Sequence, residues 1–183
     1  MRIVSGYLKG RRFSPPKNFR ARPTTDTARE SLFNILANII DFESVDILDL
    51  FSGTGAISFE FASRGANSVT LVEKNYHHYS FIRKCIDELE LNEVIKPVKT
   101  DVFTYLDHVS DQQYDIIFAD PPFDLKEFEK IVPAVLDRNL LKTDGIFILE
   151  HGPDKNFSDF ANFNQQRKYG KVCFSFFGNK PEE

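Results

Sequence analysis

The sequence contains no run approaching the roughly 18 uninterrupted apolar residues that a membrane span needs, and its polar, basic amino terminus lacks the apolar segment of a secretory signal. A cytosolic protein is therefore the expectation. Only two cysteines occur, Cys85 and Cys173, too few and too far apart for a disulfide framework or a zinc site. Both are expected to be small buried hydrophobes. No internal repeat and no low-complexity tract appears, which excludes a stacked array. No acid precedes Asp26, whereas Arg2, Lys9, Arg11, Arg12, Lys17, Arg20 and Arg22 all do. With seven basic residues set apart in this way, the remainder carries −11 against the −4 of the whole chain. A basic arm on an acidic body is suited to neutralising phosphates, contacts that position a nucleic acid without reading its sequence.

What is present fits one soluble domain. A chain of 183 residues corresponds to about one domain at roughly 150 residues each. An apolar share of 42% and 19 Phe supply a core, and the 27% charged share is ordinary for a globular chain. Residues 1–13 read as short strands interrupted by Gly6 and Gly10, followed by an exposed connector, "SPPKNFRARP". The pattern then turns helical from Thr27, with Leu32, Ile35, Leu36, Ile39 and Ile40 on one face and a capping box of Thr27 with Glu30; the helix should end near Asp41.

Beyond it, "VDILDL", "SVTLVE", "IKPVKT", "YDIIFA" and "GIFILE" are strand candidates, with helices expected at about 56–64, 75–89, 102–108 and 125–137. Alternating strands and helices imply a mostly parallel sheet. "QQRKYG" and "KVCFSFF" add two strands with no helix between them, an antiparallel edge pair.

Two junctions carry the chemistry. In "DILDLFSGTGAISFE", Gly53 and Gly55 stand where a strand turns into a helix, a bend that glycine makes easily against a ligand. Ser58 occupies the position where a dinucleotide fingerprint has Gly or Ala, which disfavours a nicotinamide dehydrogenase. No lysine or arginine lies between Asp49 and Arg64, so the loop lacks the positive charge usual beside phosphates. Asp49 precedes the turn, Glu73 ends the next strand and Asp101 follows the one after. Glu73 suits a ribose diol, and Asp101 suits an adenine amino group. A ligand with ribose, adenine and a positive centre but no phosphate satisfies this acidic crevice, and S-adenosylmethionine is such a ligand.

The second junction is "FADPPF", an acid and two prolines at the end of the fourth strand. An exocyclic amino group on a base is a poor nucleophile because its lone pair is delocalised into the ring. Asp120 can accept one amino proton and the Pro121 carbonyl the other, localising that pair. The Pro121 and Pro122 rings fix φ and hence the carbonyl direction, and Phe123 can stack on the base.

These segments, with "SRGA", "VEKN", "RPTTDTARESLFNIL" and "RKYG", resemble the bacterial RsmD-type methyltransferases that modify guanine N2 in small-subunit (16S) ribosomal RNA, over about residues 2–177. The resemblance implies a class I S-adenosylmethionine-dependent fold, seven strands with the last antiparallel, and a target guanine extruded from its RNA context. With the segment reading above, this gives an expected basic arm over residues 1–26 packed on a methyltransferase domain over 27–183. By the same resemblance Asp49, Phe51, Gly53 and Gly55 form the cofactor loop, Glu73 holds the ribose and Asp101 meets adenine. Asp120, Pro121, Pro122 and Phe123 then hold the base, and Thr25 of "RPTT" lies beside the pocket. Lys9, Arg11, Arg12, Arg20 and Arg22 are the expected RNA contacts, the expected substrate is an assembling small subunit, and the expected state is a monomer. "YHHY" at 76–79 takes no role and reads as an exposed helix start, with no metal site expected. "DPPF" alone also fits methylation of adenine N6 in DNA or of a protein glutamine, and the fold alone fits an assembly factor that transfers nothing.

Overall fold

A computed structural model of the chain describes residues 1–15, 26–110 and 112–178. Seven strands form one sheet: β1 (Asp46–Leu50), β2 (Ser68–Val72), β3 (Ile95–Val98), β4 (Tyr114–Ala119), β5 (Leu141–His151), β6 (Phe163–Tyr169) and β7 (Val172–Gly178). Their spatial order is β3-β2-β1-β4-β5-β7-β6. The first five run parallel, and β7 lies antiparallel between β5 and β6. The expected mixed sheet with its antiparallel edge pair is what forms. The helices are α1 (Asp26–Leu36), α2 (Ala56–Ser63), α3 (Tyr76–Glu88), α4 (Val102–His108) and α5 (Ile131–Leu136).

Alternation along the buried strands sorts the core into two faces. Ile47, Val69, Ile116, Phe118 and Ile148 pack with α1, α2 and α3 on one, while Leu48, Val72, Ile117, Phe147 and Leu149 pack with α4 and α5 on the other. The direction of strand succession reverses between β1 and β4, and at such a reversal the carboxyl ends of the strands leave a crevice. Cys85 and Cys173 are buried and unpaired, as their scarcity suggested.

Four local expectations are corrected. Helix α1 ends at Leu36 and not near Asp41, because Asn38 and Ile39 donate to Ile35 and Leu36 in i→i−3 bonds that tighten the final turn. Ile39 is left 52% exposed in consequence. The helix starts one residue before Thr27, so Thr27 does not cap it, and the Glu30 carboxylate meets Arg2 at 3.5 Å. In place of a helix over 125–137, a 3₁₀ turn at Phe128–Lys130 leads into the short α5. Pro133 explains this: it has no N–H to donate to Glu129, so it is tolerated only in a first turn. Strand β5 begins at Leu141, four residues early, across a bulge opposite Tyr114 and Ile116 where a Cβ on Gly145 would stand 2.9 Å from the Tyr114 carbonyl oxygen.

Residues 1–13 form a hairpin-like arm with a single bridge, Arg2 to Arg12, in place of the expected short strands. The backbone is diverted because Gly6 lies at φ 80°, so close to α2 that a Cβ would collide with the Ser63 carbonyl oxygen. Ile3, Leu8 and Phe13 enter the core, Phe13 stacking on Phe59 at 5.4 Å. Glu60 of α2, almost fully buried, holds the arm. Its two oxygens accept from the amides of Val4 (2.8 Å) and Ser5 (3.0 Å), and the Arg64 guanidinium donates to Oε1 at 2.9 and 3.0 Å. Replacing Glu60 by Ala leaves two arm amides and Arg64 without their acceptor. We expect a loss of about 3 kcal/mol in urea unfolding at pH 7, with new protease sensitivity confined to the arm.

Candidate active site

At the carboxyl edge of the sheet lies a cavity of about 490 Å³. Asp49, Glu73, Asp120 and Phe123 all line it, so the glycine turn and the Pro-Pro corner open into one space. Its volume is in the range of small-molecule sites.

The cofactor loop is shaped by strain and by one carboxylate. Phe51 adopts φ 60°, uncommon for a residue with a side chain, and Gly53 follows at φ 56°. Glu73 secures this bend, its Oε2 accepting from the Gly53 amide at 2.9 Å and its Oε1 from the Asn75 amide at 2.6 Å. Each oxygen keeps lone-pair capacity toward the cavity, enough for hydroxyl donors. Gly55 does not line the cavity. It opens α2 at φ 76°, and a Cβ there would come within 2.8 Å of the Phe59 ring, so its smallness serves the turn and the core.

Asp49 is 1% exposed and accepts from the Ser58 hydroxyl at 2.5 Å. Burial pushes its carboxyl up to about 7; the charges of Asp120 and Glu73 add to the rise, and the Ser58 bonds oppose it. Ser58, which spoils a dinucleotide fingerprint in the sequence, is thus the hydrogen-bond partner of the buried acid. Asp101 does not line the cavity either. Its Oδ1 caps α4 through the Phe103 amide at 3.0 Å, and its Oδ2 lies 3.4 Å from Lys74 Nζ, whereas the adjacent Val102 is a lining residue. Thr25, Arg20 and Arg22 lie outside the described residues.

Asp120 follows the end of β4, and Pro121 is buried behind it. Phe123 is 50% exposed, an aromatic face left open beside the acid. Lys9, Arg11 and Arg12 are exposed on the arm, whose Met1 thioether accepts from the Thr54 hydroxyl of the cofactor loop at 3.4 Å.

Among the lining residues that escaped the sequence reading are His78 and Glu150, both titratable. His78 sits in the first turn of α3, which Asn75 caps, with Nδ1 3.8 Å from Glu73 Oε2. "YHHY" is therefore only in part an exposed helix start: Tyr76 and His77 are exposed, and His78 faces the cavity. The available signal was its place one turn after a strand-end acid. Glu150 also lines the cavity, from within an apolar run that read only as a core strand. No cluster able to hold a metal ion occurs among the described residues.

The donor set fits an adenosyl sulfonium. Asp49, Glu73, Asp120, Asp124 and Glu150 make the lining acidic, favouring a cation, and the tethered Glu73 carboxylate suits a diol. Sheet order, glycine turn and acidic crevice together define a class I S-adenosylmethionine-dependent methyltransferase. Residues 1–178 match the family model described as conserved hypothetical protein 95, and the chain belongs to that family. Among its relatives is the ribosomal RNA small subunit methyltransferase D of Escherichia coli, 31% identical over 180 residues that span 97% of this chain and 89% of the relative. The solved structure of the Escherichia coli protein yhhF superposes with a TM-score of 0.84 at 27% identity, covering 100% and 99% of the two chains. The fold recurs in the S-adenosylhomocysteine-bound Podospora anserina methyltransferase PaMTH1, TM-score 0.62 at 13% identity, over 74% of this chain and 72% of that one. The resemblance read from the motifs is borne out.

The raised Asp49 carboxyl has a consequence for stability. An unfolded aspartate ionises near pH 4, so between about pH 4 and 7 the folded state binds the proton more tightly. Asp49 therefore contributes most stability below pH 4 and progressively less as pH rises to 7. The substitution D49N removes this term. Relative to wild type, the variant should gain stability steadily from pH 4.5 to 7.5 in urea titrations, and a pH-independent difference would refute the assignment.

Proposed function

We propose that this protein transfers a methyl group from S-adenosylmethionine to the exocyclic N2 of a guanine in small-subunit (16S) ribosomal RNA. The observation that carries the reading is the single cavity lined by Asp49 and Glu73 at one end and by Asp120 and Phe123 at the other. Family membership and the relatives' names supply the substrate class.

Bound there, S-adenosylmethionine supplies an electrophilic methyl on a positively charged sulfur. Glu73 holds the ribose diol, Asp49 and the Phe51–Gly53 turn shape the floor, and Val102 borders the adenine side with Asp101 capping the helix behind it. Phe123 stacks on a guanine turned out of its RNA stack. Asp120 accepts one hydrogen of the 2-amino group and the Pro121 carbonyl accepts the other, so the nitrogen lone pair is directed away from the ring. Accepting the methyl would leave the nitrogen positively charged, and Asp120, which lines the cavity, is the group to receive the proton it would shed. The exposed Lys9, Arg11 and Arg12 meet phosphates, with Arg20 and Arg22 continuing the same basic segment. So short an arm supplies limited affinity, which favours an assembling small-subunit particle over naked RNA as substrate; a monomeric state and a cytoplasmic location complete the reading.

Two measurements test this. Radiolabelled donor offered with naked ribosomal RNA and with partly assembled small subunits should label the particles preferentially, and nuclease digestion should yield N2-methylguanosine. Label on adenosine, on DNA or on protein would overturn the reading. Asp120→Ala should keep cofactor affinity within a few fold, by calorimetry with S-adenosylhomocysteine, while turnover falls about 10²- to 10³-fold. A variant near wild-type speed removes Asp120 from the chemistry.

A further inference from the structure

We infer that Glu150 selects guanine by accepting the N1–H of the target base while Asp120 and the Pro121 carbonyl hold its 2-amino group. The inference rests on the guanine-N2 reading above and adds to it the residue that recognises the base.

Strand register places the two acids side by side. β4 and β5 are parallel, with Phe118 opposite Ile148 and Ala119 opposite Leu149, so one further step brings Asp120 beside Glu150. Phe118 and Ile148 belong to the same core face; Glu150, two residues beyond Ile148 within β5, keeps that face at period two, and Asp120 stands one residue past the end of β4. Both line the cavity. Neighbouring strands lie about 4.8 Å apart, a separation that adjacent groups on one base edge can bridge through side chains of these lengths.

The chemistry of the edge then matters. Guanine presents two adjacent donors, N1–H and the 2-amino group, and needs two acceptors in a row. Adenine presents a donor beside an acceptor, and its N1 lone pair would face a carboxylate with no proton between them. A buried polar group left unmatched by the wrong base is a strong source of discrimination. Glu150 is 3% exposed and fixed on a central strand, paired in register with Phe174 of β7, whereas Asp124, the other carboxylate near the corner, is exposed. A base placed between Asp120 and Glu150 also separates two neighbouring acids with donor hydrogens.

The experiment uses small-subunit particles reconstituted on RNA that carries either guanine or 2,6-diaminopurine at the position wild-type protein labels. The analogue keeps the 2-amino group and turns N1 from donor into acceptor. Wild type should prefer guanine in kcat/KM by about tenfold or more. Glu150→Gln, whose amide can donate to the analogue's N1, should narrow or reverse that ratio, and Glu150→Asp, which keeps the acceptor, should stay guanine-selective. S-adenosylhomocysteine affinity checks that each variant is folded. A folded E150Q that loses both activities in equal proportion makes Glu150 a packing residue and overturns the inference. Should E150Q not fold, E150D decides, and equal labelling of the two bases by it overturns the inference too. Absence of any N2-methylguanosine from wild type defeats the functional reading itself and takes this inference with it.

Discussion

The backbone register of three parallel strands is the constraint on which the site depends. Asp49 of β1 pairs with Phe118 of β4, and Phe118 pairs with Ile148 of β5. Asp49, the corner Asp120 and Glu150 therefore arrive at one edge and line one cavity. A slip of one residue in either pairing would send an acid to the opposite face, among α4 and α5. The hydrogen bonds that fix this register involve no functional side chain, and the apolar residues that enforce it lie beneath the cavity.

Gathering carboxylates has an electrostatic consequence. Five line one cavity, and the most deeply buried, Asp49, is displaced from the usual carboxylate range to about 7. Such crowding is unfavourable in an empty cavity and is relieved by positive charge or by hydrogen-bond donors. A sulfonium would supply the first, and the guanine edge proposed above would supply the second. Glu73 has both oxygens engaged by backbone amides before any ligand arrives, so its orientation is set in advance.

The arm joins the electrostatics to the fold. Glu60, a buried acid on α2, takes two arm amides and Arg64, while Phe13 stacks on Phe59 of the same helix. The basic surface of Lys9, Arg11 and Arg12 is thereby held on the domain, and the Met1–Thr54 contact ends beside the cofactor loop. The basic surface of the arm and the acidic cavity share one scaffold.

Much of this was legible in the chain itself. Five apolar runs separated by amphipathic stretches determined the parallel sheet. "DLFSGTG", Glu73 and "DPPF" determined the class of chemistry, because glycines that relieve backbone strain and prolines that fix φ act over a few residues and leave local marks. Element ends were less legible: where α1 stops and how much of 125–137 is helix depended on i→i−3 bonds and on Pro133, competitions of small energy. Asp101 carried the right residue type, yet the folded chain uses it as a helix cap. His78 left only a faint mark, its place one turn after a strand-end acid, and Glu150 left none inside an apolar strand. The sequence determined which side chains exist and how the chain bends locally; which of them share a cavity was decided only by strand order and register, since bringing residues 49, 120 and 150 to one rim depends on pairings dozens of positions apart that no local pattern encodes.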